Sequence, residues 1–466
     1  MVNPTPAAPF SSLALTPAML ANLDQLGYHE MTTIQASSLP AVLERRDLIA
    51  QAKTGSGKTA AFGIGMLHHL NPSYFAIQGL VICPTRELAD QVSNELRRIA
   101  RFTDNIKILT LCGGNAMRPQ MASLEHGTHI VVGTPGRIRD HIGRGSINLS
   151  TVQTLVLDEA DRMVDMGFYE DIEGIVSACP ARRQTLLFSA TYPDDIRKAS
   201  ARFLRDPVEI KVEAQHDGDK IEQRFFEVSA EQRNTAVARL LQHYQPVSTL
   251  AFCNTKIHCR ELAEELRAHG FSALALYGDL EQRERDEILV QFANQSCSVL
   301  VATDVAARGL DIANLSAVIN VDVTRDTEVH IHRIGRTGRG HDKGLALNLC
   351  IPTEKRWVKL IEEYQKKSVQ WFDINALDDN EGTVLRAPMR TLCIQGGKKD
   401  KLRPGDLLGA LTGEIGLSKE QVGKINVFEF TTYVALDYRI AEKAFTRLSS
   451  GNIKGRNFKM RLMRTA

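Results

Sequence analysis

The chain has no Cys-x-x-Cys pair, although it carries eight cysteines in 466 residues. Cys83, Cys112, Cys179, Cys253, Cys259, Cys297, Cys350 and Cys393 show no metal-ligand spacing, and several stand in apolar contexts such as Val81-Ile82-Cys83. That argues against a structural zinc site or a disulfide scaffold and for buried free thiols in a reducing compartment. No apolar run approaches the ~20 residues that a membrane-spanning helix needs. The stretch from Met1 to Phe10 lacks the basic and apolar regions of a secretory signal, so a cytoplasmic location is expected. Low-complexity tracts and short-period repeats are also missing, and the 43% hydrophobic and 24% charged content is that of an ordinary globular protein.

A length of 466 residues exceeds one ordinary core, so two or three domains are expected. The net charge of +2 conceals an asymmetry. From Met389 onward 15 Lys+Arg face 7 Asp+Glu, which leaves 42 against 48 in residues 1–388. A basic terminal module on a mildly acidic body points to a polyanion as the partner of the tail.

Strand-like runs alternate with helical patterns over residues 1–208: 47–50, 79–83, 106–111, 129–132, 152–157 and 185–188. This alternation implies a parallel sheet covered on both faces. Residues 206–223, with Asp206-Pro207 and a polar run at 215–220, read as a linker. A second alternating region follows over 224–375, with strands expected at 249–253 and 298–302 and no phosphate loop of its own. The two regions could be copies of one architecture. A polar connector over 375–387 precedes the basic module, 389–466.

Ala52-Lys53-Thr54-Gly55-Ser56-Gly57-Lys58-Thr59 nearly matches G-x-x-x-x-G-K-[ST], with Ala52 where the first Gly is usual. Gly55 and Gly57 let the backbone N–H groups around Thr54 and Ser56 turn toward phosphate oxygens. Lys58 supplies a point charge to the β/γ-phosphates, and Thr59 a hydroxyl to Mg²⁺. Asp158-Glu159-Ala160-Asp161 follows an apolar run suited to a buried strand. Carboxylates there face the ligand crevice of an α/β sheet. Asp158 would hold Mg²⁺ through water, and Glu159 would orient and deprotonate the attacking water. Together the two motifs indicate a magnesium-nucleotide site.

Further motifs stand in one order: Pro84-Thr85-Arg86-Glu87-Leu88-Ala89, Gly113-Gly114, Thr134-Pro135-Gly136-Arg137, Ser189-Ala190-Thr191, Gln282-x-x-Arg285, the run from Ala302 to Asp311, and His332-Arg333-Ile334-Gly335-Arg336-Thr337-Gly338-Arg339. The series resembles the DEAD-box RNA helicases over about residues 10–375. The resemblance implies two RecA-like parallel-sheet α/β domains that hydrolyse ATP with Mg²⁺ and separate RNA duplexes. It implies that Gln35 reads the adenine edge while Phe10 or Tyr28 stacks on its face, and that Asp311 contacts the ribose. Arg336 and Arg339 would be arginine fingers, and His332 would link their motif to the acidic motif and Ser189-Ala190-Thr191. RNA phosphates would meet Arg86, Gly114, Thr134 and Arg137 in the first domain and Gly278, Arg285 and Thr303 in the second. Met31 and Thr33 stand where the family usually has Pro, and Tyr277 where His is common. An ATP-gated RNA clamp that never separates strands would retain every motif. A DNA helicase fits less well.

The tail reads as short strands flanking helices near 404–413 and 440–448, a small α+β RRM-like unit in βαββαβ order. Such units usually stack bases on sheet aromatics. Here Cys393 replaces one aromatic and Tyr433 is the clearest remaining candidate, so RNA binding through loops and basic edges is expected. Gly396-Gly397-Lys398-Lys399 with Ile453-Lys454-Gly455-Arg456 resembles the DbpA subfamily of bacterial helicases. That implies recognition of a 23S ribosomal RNA hairpin and a monomer acting in large-subunit assembly. Lys398, Lys399, Lys401, Arg403, Lys454 and Arg456 are the candidate contacts.

Overall fold

A computed structural model describes residues 8–463, apart from 53–54, 193–196, 198–199, 213–220, 308–314, 339–342, 378–383 and 385. Thr54, Asp311 and Arg339 thus lie outside the described residues. The chain divides near residue 215 into two compact units, the tail belonging to the second.

Runs of Leu, Ile and Val give the first unit seven strands: β1 (Leu48–Gln51), β2 (Gly79–Ile82), β3 (Ile108–Leu111), β4 (Ile130–Gly133), β5 (Thr154–Asp158), β6 (Gln184–Ser189) and β7 (Val208–Lys211). All pairs are parallel, in the order β3-β4-β2-β5-β6-β1-β7. Alternate side chains serve opposite faces. Val81, Val132 and Val156 join one buried cluster, while Leu80, Ile82, Val131 and Leu155 join the other. Fully buried strands without polar alternation are what a sheet covered on both sides requires.

β7 lies within the stretch read as a linker. Its backbone pairs with β1 from Leu48↔Val208 to Gln51↔Lys211, and only Ile210 of its four side chains is buried. A half-exposed edge strand carries little apolar signal, which is why the sequence reads as connector there. The same stretch also holds the start of the next strand, Ile221–Glu227.

The second unit repeats the arrangement. Its strands β8 (Ile221–Glu227), β9 (Thr249–Cys253), β10 (Ala273–Leu276), β11 (Val299–Thr303), β12 (Ala317–Asn320), β13 (Gly344–Cys350) and β14 (Trp371–Phe372) are parallel, in the order β10-β11-β9-β12-β13-β8-β14. Renumbered from one, that order is identical to the first sheet's, so the two regions do share one architecture. The tail forms an antiparallel sheet, β16-β17-β15-β18, from β15 (Met389–Ile394), β16 (Val422–Val427), β17 (Thr432–Asp437) and β18 (Met460–Leu462). Helices Pro404–Gly409, extended by a π turn Ala410–Glu414, and Ala441–Ser450 supply the apolar side chains that cover one face. This is the expected RRM-like order. All eight cysteines are buried free thiols. Among the described residues no helix is long and apolar enough to cross a membrane.

Arg333, 1% exposed, organises the second unit. Its guanidinium donates to both Asp304 oxygens at 2.7 and 2.6 Å, to the Asp322 carbonyl at 2.8 Å and to Asn254 Oδ1 at 3.0 Å. The helix Thr327–Ile334 is thereby fixed to the ends of three sheet connections. Removing one partner of a buried pair strands the other, so Arg333→Met should destabilise this unit by about 3–5 kcal/mol, read as a lowered denaturant midpoint.

Candidate active site

In the first sheet β5, β6 and β1 are neighbours, so the acidic motif, Ser189-Ala190-Thr191 and the phosphate loop leave adjacent strand ends. Gly55 and Gly57 take φ of +81° and +96°, where a side chain is strained. A Cβ on Gly57 would also lie 2.5 Å from Gln35 Nε2. Gly57 caps the helix Lys58–His68, whose first-turn N–H groups make an anion site. Thr59 lies in that turn. The helix Thr33–Leu43 straps the loop from behind. Thr32 Oγ1 donates to the Ser56 carbonyl at 2.8 Å, and Gln35 Nε2 donates to the Gly57 carbonyl at 3.1 Å. Gln35 Oε1 accepts from Thr32 N at 2.9 Å. Gln35 is therefore a helix cap that also braces the phosphate loop, a role its adenine-reading assignment did not include. Lys58 is buried and donates to the Ala52 carbonyl at 3.1 Å, while Ser56 Oγ is buried with no hydrogen-bond partner among the described residues.

Asp158, 2% exposed, ends β5. Burial pushes its pKa up to about 6 against the pull of Lys58, and Glu159 adds to the rise. Its Oδ1 has no hydrogen-bond partner among the described residues. An orphaned, desolvated carboxylate oxygen at the end of β5 suits a hydrated divalent cation, and orphaned Ser56 Oγ in the phosphate loop suits a phosphate. Glu159 adopts φ +53°, sparsely populated for a non-glycine residue, and pairs with Arg162 Nη1 at 2.6 Å. Burial raises the pKa of Asp161, but hydrogen bonds from Thr191 and Ser189 outweigh it, and the net shift is downward. Asp161 Oδ2 accepts from Thr191 N at 2.9 Å and Oγ1 at 3.0 Å, and Ser189 Oγ accepts from Asp161 N at 3.2 Å. The acidic motif and Ser189-Ala190-Thr191 are thus joined within the first unit.

Of the two aromatics expected near adenine, Phe10 is 3% exposed and lies in the main core cluster, edge-on to Tyr28 with centroids 6.2 Å apart. Tyr28 is the half-buried one, and its hydroxyl donates to Glu95.

The RNA candidates leave the other half of the sheet, β3-β4-β2. Asn115, which the sequence reading missed, gathers them. Its Oδ1 accepts from Arg86 Nη2 at 3.4 Å and its carbonyl from Arg137 Nη1 at 3.0 Å. Gly114 beside it has φ +74°, and Thr134 caps the helix Pro135–Gly143 that carries Arg137. Gln120 Oε1 also accepts from Arg137, at 2.9 Å. Arg86 Nε and Nη1 and Arg137 Nε are buried without hydrogen bonds among the described residues, as donors awaiting phosphate oxygens would be, although Arg137 Nε lies 3.8 Å from Asp140 Oδ2. In the second unit Gly278 follows β10, Thr303 ends β11, and Arg285 Nη2 donates to the Ala306 carbonyl at 2.6 Å. His332 lies in the helix Thr327–Ile334, and Arg336, 6% exposed, in the turn after it.

In the tail, two basic groups some fifty residues apart converge. Lys454 Nζ meets Asp406 Oδ2 at 3.3 Å, and Arg456 Nη1 donates to the Asp400 carbonyl at 3.4 Å. This joins the 453–456 hairpin to the segment bearing Lys398, Lys399, Lys401 and Arg403. Phe428 and Phe430, 44% and 67% exposed, lie beside it: the Phe428 carbonyl accepts from Lys398 N at 2.9 Å. The Phe-x-Phe spacing could have flagged them. Tyr433 is 6% exposed, clustered with Cys393, Val290 and Met463, so it offers no open stacking surface.

A phosphate loop and acidic motif on one RecA-like sheet, a second sheet of the same connectivity and an RRM-like tail define an ATP-dependent RNA helicase. Residues 32–199 match the DEAD/DEAH box helicase family, 232–341 the helicase conserved C-terminal domain and 391–462 the DbpA RNA binding domain. The ATP-dependent RNA helicase DbpA of Escherichia coli is 51% identical over 98% of this chain and 99% of its own length. The DEAD-box ATP-dependent RNA helicase CshA of Bacillus cereus is 44% identical over 79% of this chain and 70% of its own. The structure of S. cerevisiae Dbp5 bound to RNA and ADP BeF3 superimposes with a TM-score of 0.71 at 29% identity, covering 79% of this chain and 96% of that one. The chain belongs to the DEAD-box RNA helicases, in the DbpA subfamily.

Asp158 yields a pH prediction. Its folded pKa lies above the ordinary 3.8, so between about pH 4 and 6 the folded protein binds more protons than the unfolded chain. The ionised carboxylate therefore costs stability, fully above pH 6 and not at all below pH 4. Asp158→Asn should stabilise the nucleotide-free protein by about 1–3 kcal/mol at pH 7 while abolishing ATP turnover. The gain should vanish in unfolding curves at pH 4.

Proposed function

We propose that this helicase is directed by its tail to 23S ribosomal RNA and opens local duplexes there during large-subunit assembly in the cytoplasm. The observation carrying this reading is the convergence of Lys398, Lys399, Lys401 and Arg403 with Lys454 and Arg456 on one edge of the tail. That edge presents charge to phosphates, with Phe428 and Phe430 beside it for bases. The modules assigned are 1–208, extended by β7, then 224–375, extended backward to Ile221, and 389–466.

ATP is the substrate and Mg²⁺ the cofactor. Gln35 reads adenine, with Tyr28 the accessible one of the two aromatics, and Asp311 holds the ribose. The N–H groups of the phosphate loop receive the phosphates and Lys58 neutralises their charge. Thr59 and Asp158 are the protein groups that would hold Mg²⁺, which screens the phosphate oxygens when bound. Glu159, released from Arg162, takes a proton from the attacking water. Arg336 and Arg339 complete the charge stabilisation from the second unit, so turnover requires the two units to come together. Arg86, Gly114, Thr134 and Arg137 on one unit and Gly278, Arg285 and Thr303 on the other grip one strand through its phosphates, which carries no base preference. Bending that strand expels its partner.

Glu159→Gln should bind ATP and RNA normally and lose about 100-fold or more in turnover, since a positioned general base is worth about that much. Single-turnover hydrolysis near the unaltered rate would refute the assignment. Replacing Lys398, Lys399 and Lys401 together with Ala should weaken binding of a 23S-derived hairpin and reduce its log–log salt slope by about 2–3. ATPase stimulation by unrelated RNA should not change. An unaltered slope would remove this edge from the RNA interface.

A further inference from the structure

The open face of the tail's sheet is not open. Cys393 and Tyr433, side by side on β15 and β17, are 2% and 6% exposed, and they pack with Met463 against Val290 of the helix Gln282–Ala293. Arg461 of β18 pairs with Glu287 of the same helix at 2.6 Å. Thr391, fully buried on β15, meets Asn294 Nδ2 at 3.3 Å and Ser296 Oγ at 2.7 Å. The Met389 N–H donates to the Gln295 carbonyl at 3.3 Å. The contact combines an apolar centre, an ion pair at its rim and a buried hydroxyl with both partners across the junction, all from one short segment of the second unit. That segment begins with the Gln282-x-x-Arg285 motif, whose Arg285 is assigned to an RNA phosphate.

We propose that the helix Gln282–Ala293 is a shared element: its first turn faces the RNA strand, and its later turns seat the sheet face that other RRM-like modules use for base stacking. The tail is then a fixed arm rather than a tether. It gives up stacking and holds its RNA at one place relative to the strand-gripping residues of the second domain. Glu287, Val290 and Arg461 act as positioning residues, since their contacts are with one another's elements across this junction and none is among the groups assigned to RNA or nucleotide. The proposal rests on the ribosomal-RNA reading above only for the identity of the RNA.

Cys393 reports on the seat directly, because thiol reactivity follows exposure and the other seven cysteines are buried elsewhere. The test compares full-length protein with Arg461→Glu, Glu287→Arg and the double exchange, with and without a 23S-derived hairpin. In the unaltered protein Cys393 should resist a thiol reagent whether or not the hairpin is bound. Each single exchange should raise Cys393 labelling, read by peptide mass, and slow unwinding of a duplex flanking that hairpin about tenfold as the effective concentration falls. Hairpin affinity and ATPase with unrelated RNA should remain. The double exchange should restore both protection and unwinding. Val290→Asp, which puts a carboxylate into the apolar centre, provides a second way to unseat the tail. Protection of Cys393 in all these variants would overturn the proposal. So would its exposure on hairpin binding, or unimpaired unwinding by an unseated tail. Failure of the ribosomal reading would look different: no preference of the unaltered protein for the 23S hairpin, with the labelling pattern intact.

Discussion

The Asp158 carboxylate, desolvated at the end of β5 in the electrostatic field of Lys58, is the constraint on which the first unit depends. A buried carboxylate with an orphaned oxygen is expensive, and a fold selected for stability alone would replace it. The surroundings are built to keep it. Asp161 ties the acidic motif to Thr191 and Ser189, and Gln35 and Thr32 hold the phosphate loop by its carbonyls. Because the dipoles and charges are fixed before the nucleotide arrives, little reorganisation is needed when it does.

The strand order then separates the two tasks. In the first sheet β5-β6-β1 carry the phosphate loop, the acidic motif and Ser189-Ala190-Thr191, and β3-β4-β2 the motifs proposed to grip RNA, on one carboxyl edge. The second sheet has the same order, with Thr303 and Arg285 on the β10-β11-β9 side and the Arg333–Arg336 segment between β12 and β13. In the proposed mechanism this duplicated connectivity lets each unit supply part of the ATP chemistry and part of the RNA grip, so that hydrolysis and RNA binding depend on each other.

Most of this was legible in the chain because phosphate chemistry needs particular groups at particular spacings. Gly55, Gly57 and Lys58, the Asp158–Asp161 run and its strand, and the antiparallel order of the tail all follow from local pattern. Other features were hidden because tertiary contacts decide them. β7 was read as linker because an edge strand needs few apolar side chains. Asn115 gives no local sign that it will join Arg86 to Arg137. The double duty of Gln35 depends on a carbonyl 22 residues away. Tyr433 reads as a stacking residue until its partner Val290, from another module, comes into view. Thr54, Asp311 and Arg339 lie outside the described residues.

Proton release on nucleotide binding tests the role of Asp158 most directly. With a folded pKa of about 6, Asp158 is about half protonated at pH 6, and in the proposed role it would ionise on holding a metal–nucleotide. Calorimetric titration with Mg²⁺ and a non-hydrolysable ATP analogue, in buffers of different ionisation enthalpy, should show about half a proton released at pH 6 and almost none at pH 8. Asp158→Asn should abolish the release. Proton-neutral binding at pH 6, or release that persists in that variant, would contradict the account of a buried carboxylate waiting for its cation.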